Sequence, residues 1–387
     1  MAETRSTPRD TGVIEDRIGD IEDRLQQLLD GRGAQSLEAD AQTAGNCALP
    51  QVPTRPRAAG ISDLRERLVA YTQKKWVNGT NLKYYFFTQA GMRGHHSNAK
   101  MVREAFDVWS DLGIGLNFEE TKHIGEAELR IAFMSGQGAW SYVGTDNLSA
   151  PGQSEPTMNF GWDLRHDPRG IDTALHEIGH ALGFPHEHQN PFAGIVWNKE
   201  EVIREFSGPP NNWTLAQIEH NILRKLNRGE VSGSAWDPNS VMHYAFGPGL
   251  IEQPLEYRAG LTPQAGLSPV DKSEALRFYP ALPNGDLRRL APMVSDALDL
   301  APTEQVSYLL EPDETRTYTI RSLGQADILL VLFREEDDRT IYVDGSDDGG
   351  LNENALITAR LERGQRYILR VRLMSHYGAG ASTVIYW

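Results

Sequence analysis

The chain has 387 residues, with 38 lysines and arginines against 53 acidic residues and a net charge of -15. That length predicts two or three domains with room for a large core, and the acidic balance excludes general affinity for nucleic acid or anionic membrane, which require a basic face. The single cysteine, Cys47, excludes an intramolecular disulfide and any Cys-rich zinc module, so a bound metal must rest mainly on His, carboxylate or Tyr.

No apolar run approaches the roughly 20 residues that cross a bilayer, and the opening MAETRSTPRD has no apolar stretch of the signal-peptide kind. The expectation is a chain without a transmembrane segment or a visible secretory signal. In VIEDRIGDIEDRLQQLLD, Ile14, Ile18, Ile21, Leu25 and Leu28 recur at alternating steps of four and three, which predicts a short amphipathic helix that either packs on its own protein or self-associates. The stretch from Gly31 to Gly60, rich in Gly, Ala, Gln and Pro, reads as a loose connector and carries Cys47.

The run LKYYFF from Leu82 predicts a buried strand. In SNAKMVREAFDVWSDLG, Met101, Val102, Ala105, Phe106, Trp109 and Leu112 form an apolar stripe at helical spacing that stops at Gly113. GLNFEE, ELRIAFM and TMNFGW predict further strands, the second with Leu129, Ile131 and Phe133 on one face as in a half-buried strand. Strand, helix, strands, helix implies an α+β unit with a mixed sheet.

HEIGHALGFPHEH follows, with four histidines between His176 and His188. Asp172 can cap a helix through TALHEIGHAL, which sets His176 and His180 four residues apart on one face, where two imidazoles can share one ion. Leu175, Ile178 and Leu182 fall on other faces and can anchor the helix. Glu177 lies near enough to reach a metal-bound water without being a ligand. Gly183 allows the positive φ that turns the chain, so His186 can come round as a third ligand. Three neutral nitrogens and an open fourth position are the arrangement of a catalytic zinc site. His188 is left as a cleft residue.

A Pro-bounded helix, LSPVDKSEALRFYP, precedes a change near residue 285 to short runs of strand: TRTYTIRS, ADILLVLFR, RTIYVDG, ALITARL, RYILRVRL and STVIYW, at the spacing of a β-sandwich.

The pattern H-E-x-x-H-x-x-G-x-x-H, with SVMHY from Ser240 to Tyr244 downstream, resembles the metzincin zinc endopeptidases and, more narrowly, the astacin family. KWVNGT at Lys75 looks like that family's mature start, GAWSYVG at Gly138 like its G-C-W-S-x-x-G loop, and LSPVDKSEALRFY like its last helix. The resemblance implies zinc on His176, His180 and His186, Glu177 as general base, Met242 beneath the metal, Tyr244 as a switchable extra ligand able to donate to the oxyanion, and Glu187 as partner of a new N-terminus. It implies a metzincin catalytic domain over 75–284, after an N-terminal helix and pro-segment over 1–74, and a peptide or protein substrate, with secretion as the family's usual fate. The C-terminal part, 285–387, resembles the bacterial pre-peptidase C-terminal type.

Two departures matter. Ala139 stands where the family has a cysteine, and the inhibitory Phe-x-Gly-Asp of its pro-segments is absent. Cys47 is then either a thiol in a connector or a sulfur that caps the zinc before activation. A substrate strand is expected to add to ELRIAFM by β-augmentation. The reading from another class is a binding protein with a vestigial zinc site. Against it, neither Glu177 nor any of the three histidines has been lost.

Overall fold

The structure, a computed structural model, describes residues 46–52, 74–149, 152–226, 235–282, 287–300, 304–336, 339–347, 354–373 and 381–387. The expected amphipathic helix over 14–28 and the expected boundary near residue 285 lie outside them. Among the described residues no helix is long and apolar enough to cross a membrane.

The first layer is a five-stranded sheet of β1 (Asn81–Phe86), β2 (Asn117–Glu120), β3 (Leu129–Ala132), β4 (Trp140–Ser141) and β5 (Met158–Asn159), in the order β2-β1-β3-β5-β4. All neighbours run parallel except β4, which pairs antiparallel with β5 at the sheet's edge. Helix α1 (His96–Ser110) and helix α2 (Gly170–Ala181) pack against this sheet. Trp109 of α1 fixes the two helices together, since its buried indole donates to Leu175 O at 3.1 Å while its rings meet Phe184. Burying such an aromatic contributes about 1.5–3 kcal/mol, and the donor is satisfied at the same time.

A second layer holds a two-stranded ribbon of β6 (Val196–Trp197) and β7 (Ile251–Gln253), with helix α3 (Lys199–Ser207). Helix α4 (Pro269–Phe278) begins with a capping box between Ser268 and Asp271 and a proline in its first turn.

The rest is all strand: β8 (Arg288–Arg289), β9 (Asp296–Leu298), β10 (Gln305–Leu310), β11 (Arg316–Gly324), β12 (Ile328–Glu336), β13 (Arg339–Ser346), β14 (Leu356–Leu361), β15 (Tyr367–Leu373) and β16 (Ser382–Tyr386). They form two sheets, β13-β12-β15-β10-β8 and β14-β11-β16-β9, closed over a shared core that includes Tyr308, Tyr318, Leu330, Leu369 and Tyr386. The six expected runs are β11 to β16. β8 and β10 carry no clear strand signal in the sequence, because Arg288–Arg289 is exposed and QVSYLL lacks clean alternation.

The sandwich grips the chain just before β1. Arg372 Nη2 donates to Lys75 O at 3.1 Å, Gln305 bonds both backbone groups of Asn78, and Thr340 Oγ1 donates to Gly79 O at 2.9 Å. A small core of Val77, Val331, Phe333 and Ile368 seals the junction.

Three expectations need correction. β3 is buried along its whole length, Arg130 included, because it is central: β1 pairs with one edge and β5 with the other. No edge is left for a substrate strand, and Arg130 spends its guanidinium on the carbonyls of Glu155, Ala127 and Asn147. Asp172 does not cap α2. It lies inside the first turn, held by Arg169 Nε at 3.0 Å and by the N–H of Gly266 at 2.8 Å, and the cap position falls to Arg169. Finally, residues 46–52 are not loose connector, since Cys47 is buried against the second layer.

Candidate active site

α2 is amphipathic in a particular sense: Leu175, Ile178 and Leu182 enter the core, and His176, Glu177 and His180 are buried toward the cleft. Gly179 lies between them for want of space. A Cβ there would sit 2.4 Å from Met242 Sδ, so the glycine lets the methionine turn pass under the helix. Gly183, at φ +99°, ends the helix in the left-handed region and sends the chain back toward His186.

The turn at 240–242 is held from α4. Asp271 accepts Ser240 Oγ at 2.6 Å and the N–H of Val241 at 2.8 Å while it also caps its own helix. The turn in turn orients the first histidine, because Val241 O accepts from His176 Nδ1 at 2.8 Å. Phe184 O accepts from His180 Nδ1 at 2.7 Å. A carbonyl only accepts, so both Nδ1 atoms carry the proton and both Nε2 atoms are bare lone pairs. Those two Nε2 atoms face each other at 3.0 Å.

Two acceptors at that separation repel unless a cation lies between them. They are not imidazolium: burial drives His176 down to about 4, and burial followed by neighbouring histidines drives His180 and His186 well below the usual range. One ligand atom from each of Cys47, His176, His180 and His186 lies within 4.8 Å of all the others, so these four could hold one metal ion. The donor set fits zinc: three neutral imidazoles and a sulfur, two of the imidazoles oriented by carbonyls.

Glu177 is fully buried beside this cluster, and burial lifts its carboxyl to about 8, offset in part by the hydrogen bond from Cys47. Its Oε2 accepts from Cys47 Sγ at 3.4 Å, and Oε1 has no partner among the described residues. Tyr244 lies 2.8 Å from His186 Nε2 and donates its hydroxyl to the carbonyl of Cys47. Burial, then the charges of Cys47 and Glu177, hold its phenol well above the usual range, so it is a donor at neutral pH. His188 stacks on His186 and bonds Asn221 O. Glu187 accepts from Asn190 and from the N–H of Asp237, with burial raising it to about 7.

The residues named from the sequence thus meet in one place, Cys47 among them. A cleft of about 210 Å³ remains beside them, walled by Trp162, Asp167, Arg169, Thr173 and His243. Three residues hold the segment around Cys47, and two of them, Asn211 and Asn221, had no sequence signal. Asn211 Oδ1 accepts the N–H of Asn46 at 2.9 Å, Asn221 Oδ1 accepts that of Leu49 at 3.0 Å, and Ala139 O accepts that of Ala48 at 3.1 Å. The last contact runs beside edge strand β4. The segment therefore lies along the β4 edge, one of the sheet's two edges.

The peptidase family described as Astacin matches residues 68–248. Among curated proteins, Protein SpAN of Strongylocentrotus purpuratus is 30% identical over 154 residues, 38% of this chain and 21% of that protein. The chain spans less than half the length of the curated relatives it matches. Among solved structures, that of myroilysin is 31% identical, covering 54% of this chain and 96% of that one at a TM-score of 0.48. The pre-peptidase C-terminal domain of collagenase from Bacillus anthracis is 15% identical, covering 27% of this chain and 99% of that one at a TM-score of 0.24.

Proposed function

Residues 68–248 belong to the astacin family of metallopeptidases, and from that premise we propose that the chain is a zinc-dependent endopeptidase made in a latent form, with 1–74 as pro-segment, 75–284 as peptidase and 285–387 as sandwich. The observation that carries the reading is the pair of bare Nε2 atoms of His176 and His180 at 3.0 Å, with His186 and Cys47 completing a four-donor set.

Zinc, when bound, supplies an acidified water and a polarised peptide carbonyl. The protein supplies the rest. Glu177, adjacent to the first ligand and buried beside the cluster, takes a proton from the attacking water and returns it to the leaving amine. Tyr244 turns its hydroxyl, held by the Cys47 carbonyl in this state, to the oxyanion that develops on the substrate. An extended substrate pairs with β4, on the edge that the segment around Cys47 now covers.

Latency follows from the same contacts. The Cys47 thiol hydrogen-bonds the base and lies among the ligands, while burial first and Glu177 second raise its pKa. With zinc bound, Cys47 would hold the ion as a thiolate alongside His176, His180 and His186. Removal of the pro-segment frees Glu177, Tyr244 and the edge of β4 together. Glu187, buried and raised to about 7, is the partner assigned to the new N-terminal ammonium.

The test is cleavage of a peptide library by the purified, processed protein with and without a chelator, alongside metal analysis. Activity that chelation abolishes and zinc restores supports the reading. Cleavage at an unchanged rate by metal-free protein contradicts it.

A further inference from the structure

The junction between the sandwich and the first layer encloses a second cavity, of about 410 Å³, away from the histidines. Its size and its place between two units are those of small-molecule sites. Its walls are largely apolar, with Val331 and Phe333 from the sandwich buried and Leu148 and Tyr342 exposed at 56% and 61%. Exposed apolar residues on the wall of an apolar cavity mark a surface that gains by being covered.

Two cations line the same cavity, Lys75 and Arg372, each only 5% exposed. Arg372 donates to the carbonyls of Lys75 and Leu373, and the charges of Asp347 and Asp327 also act on it. Lys75 Nζ lies over the rings of Phe278 and Tyr279 at 4.8 and 5.4 Å, and among the described residues no hydrogen bond or ion pair reaches it. Taking one ammonium out of water costs several kcal/mol, and a guanidinium close by adds repulsion. Burial, then Arg372, then Arg277, lower Lys75 to about 7. An anion delivered here would relieve the repulsion and gain charge-assisted hydrogen bonds.

We propose that this cavity binds an apolar molecule that ends in a single carboxylate. Its apolar body would lie along Leu148, Val331, Phe333 and Tyr342, and its carboxylate against Lys75 and Arg372. Glu128 and Asp347 also line the cavity, so a dianion such as a phosphate monoester meets more repulsion there than a monocarboxylate. A fatty acid and the C-terminal residue of an apolar peptide share this chemistry. The inference rests on the junction alone and stands or falls apart from the peptidase reading.

The test is calorimetric titration of the full chain with decanoate, decanol, N-acetyl-Leu-Phe and the C-terminal amide of that dipeptide. Saturable binding of decanoate or of the free peptide, at least about tenfold tighter than its neutral counterpart, is expected. Binding of decanoate alone identifies a fatty acid, and of the peptide alone a chain terminus. Lys75→Met should weaken the bound carboxylate by about tenfold or more. Leu148→Glu, a change at an exposed position, should weaken it as well and keeps the test valid if the lysine variant does not fold. Absence of saturable binding by both carboxylates, equal binding of the neutral counterparts, or affinity unchanged in both variants would overturn the proposal.

Discussion

Cys47 Sγ lies 3.4 Å from Oε2 of Glu177, a residue 130 positions later in the chain. The same cysteine's carbonyl takes the hydroxyl of Tyr244. One residue thereby engages the proposed base, the proposed oxyanion donor and the proposed metal cluster together.

Cys47→Ala should raise the peptidase activity of the full-length chain above that of wild type, because the sulfur is removed from the four-donor set. Asn221→Ala should do so more weakly, since it removes one hydrogen bond to Leu49, which is about 1 kcal/mol or roughly fivefold in the open fraction. Rates on a fluorogenic peptide, before any processing, check both. An alanine variant no more active than wild type contradicts the latency mechanism.

Glu177→Gln, measured after processing, should retain bound metal and lose about 10²–10⁴ in kcat/KM, as expected for loss of general acid–base catalysis. Loss of the metal together with the activity would mean that Glu177 is a ligand and not the base.

How far the sequence anticipates this site depends on the residue. His176, His180 and His186 are legible because ligand geometry fixes their offsets along one helix and one turn, and Cys47 because it is the only thiol. Asp271 is visible only as part of a helix start, although it holds the methionine turn through two hydrogen bonds. Asn211 and Asn221 are invisible, since an asparagine in a loop or helix gives no sign of the distant N–H it will accept. The strand Leu129–Ala132 is misread because alternation of apolar residues cannot reveal that Arg130 is buried on carbonyls and that both strand edges are taken. Edge or centre is a property of sheet order, which single-chain periodicity does not encode.

Tyr244→Phe in the processed enzyme should lower kcat by about 10²–10³, the usual effect of one lost oxyanion donor, with KM changed far less. A fall confined to KM would assign the tyrosine to substrate binding instead.

Lys75 sets a pH dependence of stability. Its pKa falls from the ordinary 10.5 to about 7 on folding, chiefly through burial, so between these limits the unfolded chain binds more protons than the folded one. Stability from this group therefore rises with pH from about 7 toward 10.5, and its full cost is felt below about 7. Denaturant midpoints across that range should climb for wild type, by an amount on the order of a few kcal/mol at most, and Lys75→Met should lose that component of the slope. Equal slopes in the two proteins would mean that Lys75 keeps its ordinary pKa.

In the intact chain His176, His180, His186 and Cys47 are proposed to form one zinc centre. Zinc K-edge absorption spectroscopy of the full-length protein, with Cys47→Ala as its control, measures the ligand set directly. One sulfur and three nitrogens are expected in the wild type, and an oxygen in place of the sulfur in the variant. A zinc shell without sulfur in the wild type, or no bound zinc at all, would contradict it.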